Sequence, residues 1–336
     1  MNSFGKLFRV HIFGESHGQL VGILMDGIPA GIPFSAEDLM KDLDRRRSGA
    51  AGTTPRKEDD IPLVKSGLFR GYTTGAPLLI QVENKNTRSR DYTELRKTPR
   101  PGHADFTAFK KFGGYEDYRG GGHFSGRLTT GLVAAGVLAK KMIAPARVNA
   151  TILEVGGSTD IEAAVQQAIR EEDSIGGIIE CRIRELPAGI GEPFFDSVEA
   201  VLSHMVFSVP AIKGIEFGAG FAAAKMRGSE HNDNFISVEG KTETNHAGGI
   251  NGGITNGNEI VFRVVVKPTS STHKAQKTMN FVDKEMQELK VEGRHDTCIA
   301  LRVPVVLEAA AAIAMADLML QAREIDRINQ PKDTIT

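Results

Sequence analysis

Residues 119–144 read Arg119-Gly120-Gly121-Gly122-His123-Phe124-Ser125-Gly126-Arg127, followed by LTTGLVAAGVLAKKMIA from Leu128 to Ala144. The second part reads as a helix that starts where the glycine-rich loop ends. Its first turn sets unpaired N–H groups and the positive end of the helix dipole beside Ser125 and Arg127, a ready anion site. Outward from this point, Ser35 with Asp38 opens a helical stretch to about Arg47. Thr159–Glu172 and Ser197–Phe207 read as amphipathic helices, and Val305–Ile328 as a long alanine-rich one. Strand-like runs occupy Leu7–Phe13, Leu78–Glu83, Val148–Val155, Gly177–Arg184 and Glu259–Lys267. Strands and helices interleave without the regular βαβ alternation of a doubly wound sheet, so a layered α+β architecture is expected. The Gly- and Arg-rich segments 48–60, 84–125 and 240–257 are expected to be site-building loops.

The 336 residues, 40% hydrophobic and 25% charged, can bury a sizeable core in one large domain or two intimately packed ones. A net charge of −1 argues against a general nucleic-acid binder. Basic residues instead cluster at Arg45-Arg46-Arg47 and between Arg88 and Arg100, which points to a small anionic ligand. Cys181 and Cys298 have no metal or redox spacing and no secretory signal is recognised, so reduced thiols in a cytoplasmic protein are expected. The most apolar run, Val303–Met315, is shorter than the ~20 residues of a membrane span and is interrupted by Glu308.

Two histidines sit in glycine-containing loops: His17 in Phe13-Gly14-Glu15-Ser16-His17-Gly18, and His103 in Arg100-Pro101-Gly102-His103-Ala104-Asp105. Imidazole both gives and takes protons near neutrality, and glycine lets backbone approach a ligand closely. Either histidine alone is most simply a turn residue bonded to backbone. Their shared company of arginine and glycine favours acid–base chemistry on an anionic substrate. Arg45-Arg46-Arg47 closes a helix, where cations offset the dipole, yet at least one could turn inward toward phosphate. Lys267-Pro268-Thr269-Ser270-Ser271 ends a strand with an ammonium and three hydroxyls, the composition of a phosphate loop. In Asn245–Gly253, four glycines in nine residues suit either a packing turn or close approach to a flat ligand. Gly218-Ala219-Gly220 with Glu239 imitates a dinucleotide fingerprint, a weak match in a chain with 37 glycines. No histidine pair has zinc spacing, and no carboxylate run suggests calcium.

Taken together, these motifs closely resemble the chorismate synthase family. The matching stretches are residues 13–18, Asp44-Arg45-Arg46-Arg47, residues 100–105, Asp117-Tyr118-Arg119-Gly120-Gly121-Gly122, Asn245-His246-Ala247-Gly248-Gly249, residues 267–271 and Gly293-Arg294-His295-Asp296. They occur in family order across nearly the whole chain.

The resemblance implies a β-α-β sandwich as a single large domain over residues 1–330, with 331–336 as a flexible tail, assembled as a homotetramer. It implies a cytoplasmic carbon–oxygen lyase that converts 5-enolpyruvylshikimate 3-phosphate to chorismate by anti-1,4-elimination, the last step of the shikimate pathway. Reduced FMN is the implied cofactor, although the reaction has no net redox change. By resemblance, His17 serves the leaving phosphate, His103 tends the protonation of the reduced flavin, and Asp296 assists loss of the C6 proton. Arg46, Arg100 and Arg127 are the implied substrate cations. Implied FMN positions are His123, Phe124, Ser125, Pro210, Ala211, Gly252, Lys267, Pro268, Thr269, Ser270, Ser271 and Arg294. His123-Phe124-Ser125 replaces an Arg-Ser-Ser run and Pro210 an asparagine. Arg46 also matches a position linked to NADPH in the family, but Ala50-Ala51-Gly52 stands where a second such arginine belongs. An external flavin reductase is therefore expected. The rival readings are a pyridine-nucleotide oxidoreductase using the Gly218 region and a catalytically inactive FMN or sugar-phosphate binder.

Overall fold

The computed structural model describes residues 2–54, 59–85, 92, 94–291, 293 and 295–326. Its helices are α1 Met40–Arg46, α2 Asp105–Phe112, α3 Thr129–Met142, α4 Ile161–Arg170, α5 Val198–Val206, the single turn α6 Gly228–His231, and α7 Val303–Gln321. One antiparallel sheet takes β1 Ser3–Phe4, β2 Arg9–Gly14, β3 Leu20–Asp26, β4 Pro62–Ser66 and β7 Leu78–Glu83, in the order β1-β2-β3-β7-β4. The hairpin β5 Leu68–Phe69 and β6 Tyr72–Thr73 lies between the last two in sequence. A second antiparallel sheet takes β8 Arg147–Val155, β9 Gly177–Arg184, β10 Ile212–Phe217 and β13 Ile260–Val266, in the order β10-β13-β9-β8. Two further hairpins are β11 Ile250–Asn251 with β12 Ile254–Thr255, and β14 Gln276–Asn280 with β15 Glu285–Leu289.

Helix α3 packs on the first sheet, α7 on the second, and the two helices pack on each other. This is the β-α-β sandwich expected from the family resemblance, and one apolar core runs through it from Phe8 to Leu320. Small residues permit the close crossing of the helices. A Cβ on Gly136 of α3 would stand 2.2 Å from the Cβ of Ala309 on α7. Similarly, a Cβ on Gly131 would approach Gly22 O of β3 to 3.0 Å, which is why α3 can lie directly on the sheet.

Because both sides of α7 are covered, it has no polar face. With its leading turn it runs from Ile299 to Gln321, 23 residues apolar enough by composition to cross a membrane, and 94% of the apolar window is buried inside the protein. The run is thus longer than the expected Val303–Met315: buried apolar residues continue to Leu320, interrupted by Asp317. Both carboxylates on α7 are satisfied internally. Glu308 accepts from Arg45 (2.7 Å), Lys140 (2.9 Å) and the Ala150 amide (3.1 Å). Asp317 accepts the amides of Lys6, Leu7 and Phe8 at 2.7–3.0 Å, which ties the N-terminal segment to the core. The helix ends at Gln321 rather than near Ile328 because the following residues are too polar for that interior.

Elsewhere the expected elements fall within a few residues of their observed bounds. The stretch from Ser35 starts as a 3-10 turn, Glu37–Leu39, with the Ser35 amide donating to Asp38 at 2.8 Å. Helix α2 lies inside the segment expected to be loop. The dinucleotide reading fails on topology. Strand β10 is antiparallel to β13, and a Cβ on Gly218 would meet His246 O at 2.0 Å, so these glycines serve loop packing rather than a cofactor.

Candidate active site

At one end of the sandwich the loops leave a cavity of about 890 Å³, near the upper limit of ordinary ligand sites. Its wall combines the turn after β2, the end of α1, the Arg100–Ala104 loop, the glycine loop before α3, the α5–β10 connection, the loop after β13, and the start of α7. Of the residues singled out in the sequence, His17, His103, Asp296, Arg46, Arg100, Arg127, His123, Phe124, Ser125, Pro210, Ala211 and Lys267 through Ser271 all line it. Gly252 does not; it occupies the β11–β12 turn at φ +62° with nothing near its would-be Cβ. In the same loop Gly248, Gly249 and Gly253 press on Gly218, Glu259 and Ser197, so packing explains them. Arg294 lies outside the described residues, as does the 331–336 tail.

The glycine loop brings the two histidines together. Gly120, Gly121 and Gly122 all have positive φ, at +59°, +81° and +50°. A Cβ on Gly120 would lie 2.2 Å from His17 Cε1 and Nδ1, and one on Gly121 would lie 3.3 Å from His103 Cε1. The Ser16 amide donates to Gly122 O at 3.0 Å and so seats the His17 turn on this loop. The Tyr92 ring meets His17 edge-on, 5.1 Å between centroids. Ser125 accepts from the Arg127 amide at 3.2 Å and caps the turn that leads into α3.

Of the three consecutive arginines, Arg46 and Arg47 line the cavity, and Arg46 is the enclosed one. Arg45 reaches Glu308 and Arg47 pairs with Asp44, whereas Arg46 is 2% exposed in the cavity wall. Asp60, which sequence reading passed over, joins Arg46 Nη2 at 2.9 Å to Arg127 Nη1. One carboxylate thus serves two guanidiniums. Arg46 Nε and Arg127 Nη2 are buried without a hydrogen-bond partner among the described residues, as is Thr269 Oγ1. Burial, and then the nearby Arg302, push Arg46 down to about 10, still a cation at neutral pH. For Asp60, burial opposes ionisation, but Arg46 and Arg127 outweigh it and hold the carboxyl below its usual range. Asp296 accepts from the Thr54 amide at 2.9 Å and from Arg302 at 3.3 Å. Lys267 donates to Gly102 O at 2.5 Å and to Ser270 at 2.7 Å, joining the β13 loop to the His103 loop.

Among the described residues the wall carries Arg46, Arg47, Arg100, Arg127, Arg302, Lys213 and Lys267 against only Asp60 and Asp296. The same wall also carries the apolar side chains of Val10, Ile12, Leu128, Leu132, Ile299, Val303 and Val306. Such a cavity suits a polyanion laid against a flat, apolar ring system.

The chorismate synthase family model matches residues 8–320. This chain belongs to the chorismate synthase family. It is 64% identical to a chorismate synthase of Chitinophaga pinensis over 98% of this chain and 99% of that one. It is 45% identical to one from Dehalococcoides mccartyi, covering 97% and 99% of the two chains, and 45% identical to one from Methanosarcina mazei, covering 96% of each. A crystal structure of a chorismate synthase shares the fold, with a TM-score of 0.73 at 24% identity over 95% of this chain and 93% of that one. Chorismate synthases are lyases that release phosphate from 5-enolpyruvylshikimate 3-phosphate to form chorismate, and that reaction is the activity of this chain. Asp60, Tyr92 and Arg302 are the neighbours of the expected residues that the motifs did not bring forward, and Asp105 stands within a motif that gave it no role. The signal for Asp60 was faint: an acid within a Gly- and Arg-rich loop.

Proposed function

We propose that the cavity binds the enolpyruvyl substrate beside reduced FMN, with His17, His103 and Asp296 as the proton-handling groups. The observation that carries this reading is the convergence of His17 and His103 on one glycine turn, in a wall where buried nitrogens of Arg46 and Arg127 lack partners among the described residues. The fit to FMN rests on the cavity's volume, its apolar lining residues and the polar Lys267–Ser271 loop, whose buried Thr269 hydroxyl has no partner among the described residues. Reduced FMN, when bound, supplies electron density that the substrate holds transiently and returns, so the reaction has no net redox change.

The chain's own residues do the rest. Arg46, Arg100 and Arg127 hold the phosphate and carboxylates of the substrate, and their low exposure makes each contact stronger than it would be in water. His17 gives a proton or hydrogen bond to the departing phosphate as the C3–O bond breaks. Asp296 helps take the C6 proton, and the Arg302 guanidinium beside it keeps that carboxylate oriented. His103 holds a proton for the flavin. His123, Phe124, Ser125, Pro210, Ala211, Gly252, Lys267 through Ser271 and Arg294 are the proposed FMN residues. Gly252 sits outside this chain's cavity, so its contact would belong to another subunit's flavin.

Ala50-Ala51-Gly52, where the family has a second NADPH-linked arginine, supports reliance on an external flavin reductase rather than reduction by NADPH here. The proposed homotetramer is supported by large apolar side chains on the surface: Phe195 is 94% exposed, Phe194 86%, Phe221 84% and Val238 100%. A cytoplasmic site of action agrees with two buried free cysteines and with α7 enclosed in the core. The test is phosphate release under anaerobic conditions with reduced FMN. His17→Ala and His103→Ala are each expected to lower turnover by about 10²–10⁴-fold with modest loss of substrate affinity. Near-normal turnover in both would remove the histidines from the mechanism.

A further inference from the structure

His103 shares its place in the cavity wall with two charged neighbours. Its Nδ1 lies 2.6 Å from Asp105 Oδ1 and 3.1 Å from Arg100 Nη2. Arg100 grips the same carboxylate as a fork: Nε donates to Oδ2 and Nη2 to Oδ1, each at 2.8 Å, while its amide donates to Oδ2 at 3.1 Å. Its remaining arm, Nη1, donates to Ser271 at 3.0 Å. The pair is enclosed, with side-chain exposures of 4% for Arg100 and 13% for Asp105.

Nδ1 of His103 either accepts from Arg100 or donates to Asp105, and the distances decide between them. An unprotonated nitrogen 2.6 Å from a carboxylate oxygen would set two lone pairs against each other with no proton between them. A guanidinium 3.1 Å away does not relieve that repulsion. With a proton on Nδ1 the same separation becomes a charge-assisted hydrogen bond. Arg100 Nη2 and His103 Nδ1 are then two donors converging on one acceptor, Oδ1, and their 3.1 Å separation follows from that. The carboxylate is suited to this part. Burial opposes its ionisation, but hydrogen bonds from Arg100 and His103 outweigh burial and keep Asp105 anionic throughout the neutral range.

We propose that Asp105 is a positioning residue for His103: it fixes the ring proton on Nδ1 and leaves Nε2, beside Gly121, as the nitrogen that exchanges protons in the cavity. An aspartate that fixes the tautomer of a catalytic histidine is worth up to about 10⁴-fold in turnover in hydrolytic triads. Here the carboxylate is shared with Arg100 and the ring is partly exposed, so a smaller effect follows. The inference rests on the reading of His103 as a proton-handling group.

The experiment is a double-mutant cycle of Asp105→Asn and His103→Ala, assayed anaerobically with reduced FMN and the enolpyruvyl substrate. In the wild-type background Asp105→Asn is expected to lower kcat by about 10–10²-fold with KM within about 3-fold. In the His103→Ala background it should cost less than about 3-fold more, because a residue acting through His103 has nothing left to act on. Losses that multiply, or a change confined to KM, would mean that Asp105 acts through Arg100 or the fold, and would overturn the proposal. Normal turnover in His103→Ala defeats the prior reading of His103, and is visible without the second substitution. A second readout needs no variant of Asp105. In protein labelled with 15N-histidine, the neutral His103 ring, assigned by its loss in His103→Ala, should carry its proton on Nδ1. A proton on Nε2 would sink the inference whatever the kinetics.

Discussion

Replacing Gly120 by alanine puts a methyl group where His17 already is. Its Cβ would lie 2.2 Å from His17 Cε1 and Nδ1, against about 3.4 Å for ordinary contact, so the ring or the loop must give by about 1.2 Å. The loop has little freedom, because Gly122 O holds the Ser16 amide and a Cβ at Gly122 would itself strike Asp117 O at 1.9 Å. The ring is therefore what moves. A displacement of about 1 Å at a reacting group costs on the order of 10²-fold in rate. Alanine at φ +59° adds roughly 1–2 kcal/mol of backbone strain. Gly157→Ala separates the two effects, since Gly157 has φ +79° and open space around its would-be Cβ. That control should show the strain as a lower unfolding midpoint with turnover within about 2-fold of wild type. Gly120→Ala should show a similar stability loss together with about 10²-fold slower phosphate release under anaerobic reduced FMN. If Gly120→Ala turns over like the Gly157 control, the glycine turn does not hold His17 in its working position.

Gly136→Ala should destabilise the fold by about 1–3 kcal/mol in urea unfolding, because the new methyl meets the Ala309 backbone at the α3–α7 crossing rather than a flexible side-chain end; an unchanged midpoint would mean that the two helices can part without cost. For Glu308, burial opposes ionisation but Arg45 and Lys140 outweigh it, so its carboxyl lies below the ordinary value. The stabilisation from a depressed acid is present above the unfolded-state value, roughly pH 4–5, and is lost as pH falls through the folded one. Glu308→Gln should therefore cost about 1.5–3 kcal/mol at pH 7, since Arg45 and Lys140 keep Asp42 as a partner, and clearly less near pH 3, measured by urea midpoints; an equal loss at both would assign the effect to shape rather than charge.

Much of the layered fold was legible because its strands and helices are apolar runs of the right length and period. Gly177–Arg184 and Leu78–Glu83 match their expected bounds, since each is a central strand with apolar residues at alternate positions. Leu20–Asp26 was missed, because a glycine interrupts the run and only a cross-strand neighbour explains it, whereas Ile212–Phe217 was legible only as a strand without bounds ahead of Gly218. Gly22, for example, makes room for the Phe13 ring, which a Cβ would meet at 2.4 Å. Helix α2 hides in a Gly- and Arg-rich stretch because it is short and packs only part of one side.

The sequence by itself determined the family, the layered α+β class and the set of side chains able to handle phosphate and protons, because motif order, period and residue type are local properties. The tertiary structure alone decided that Arg46 and Arg47, but not Arg45, line the cavity, that Asp60 bridges Arg46 to Arg127, and that His17 and His103 meet across Gly120 and Gly121. Those outcomes depend on segments as far apart as residues 17 and 120 being pressed together by the shared core, and no local pattern carries that distance.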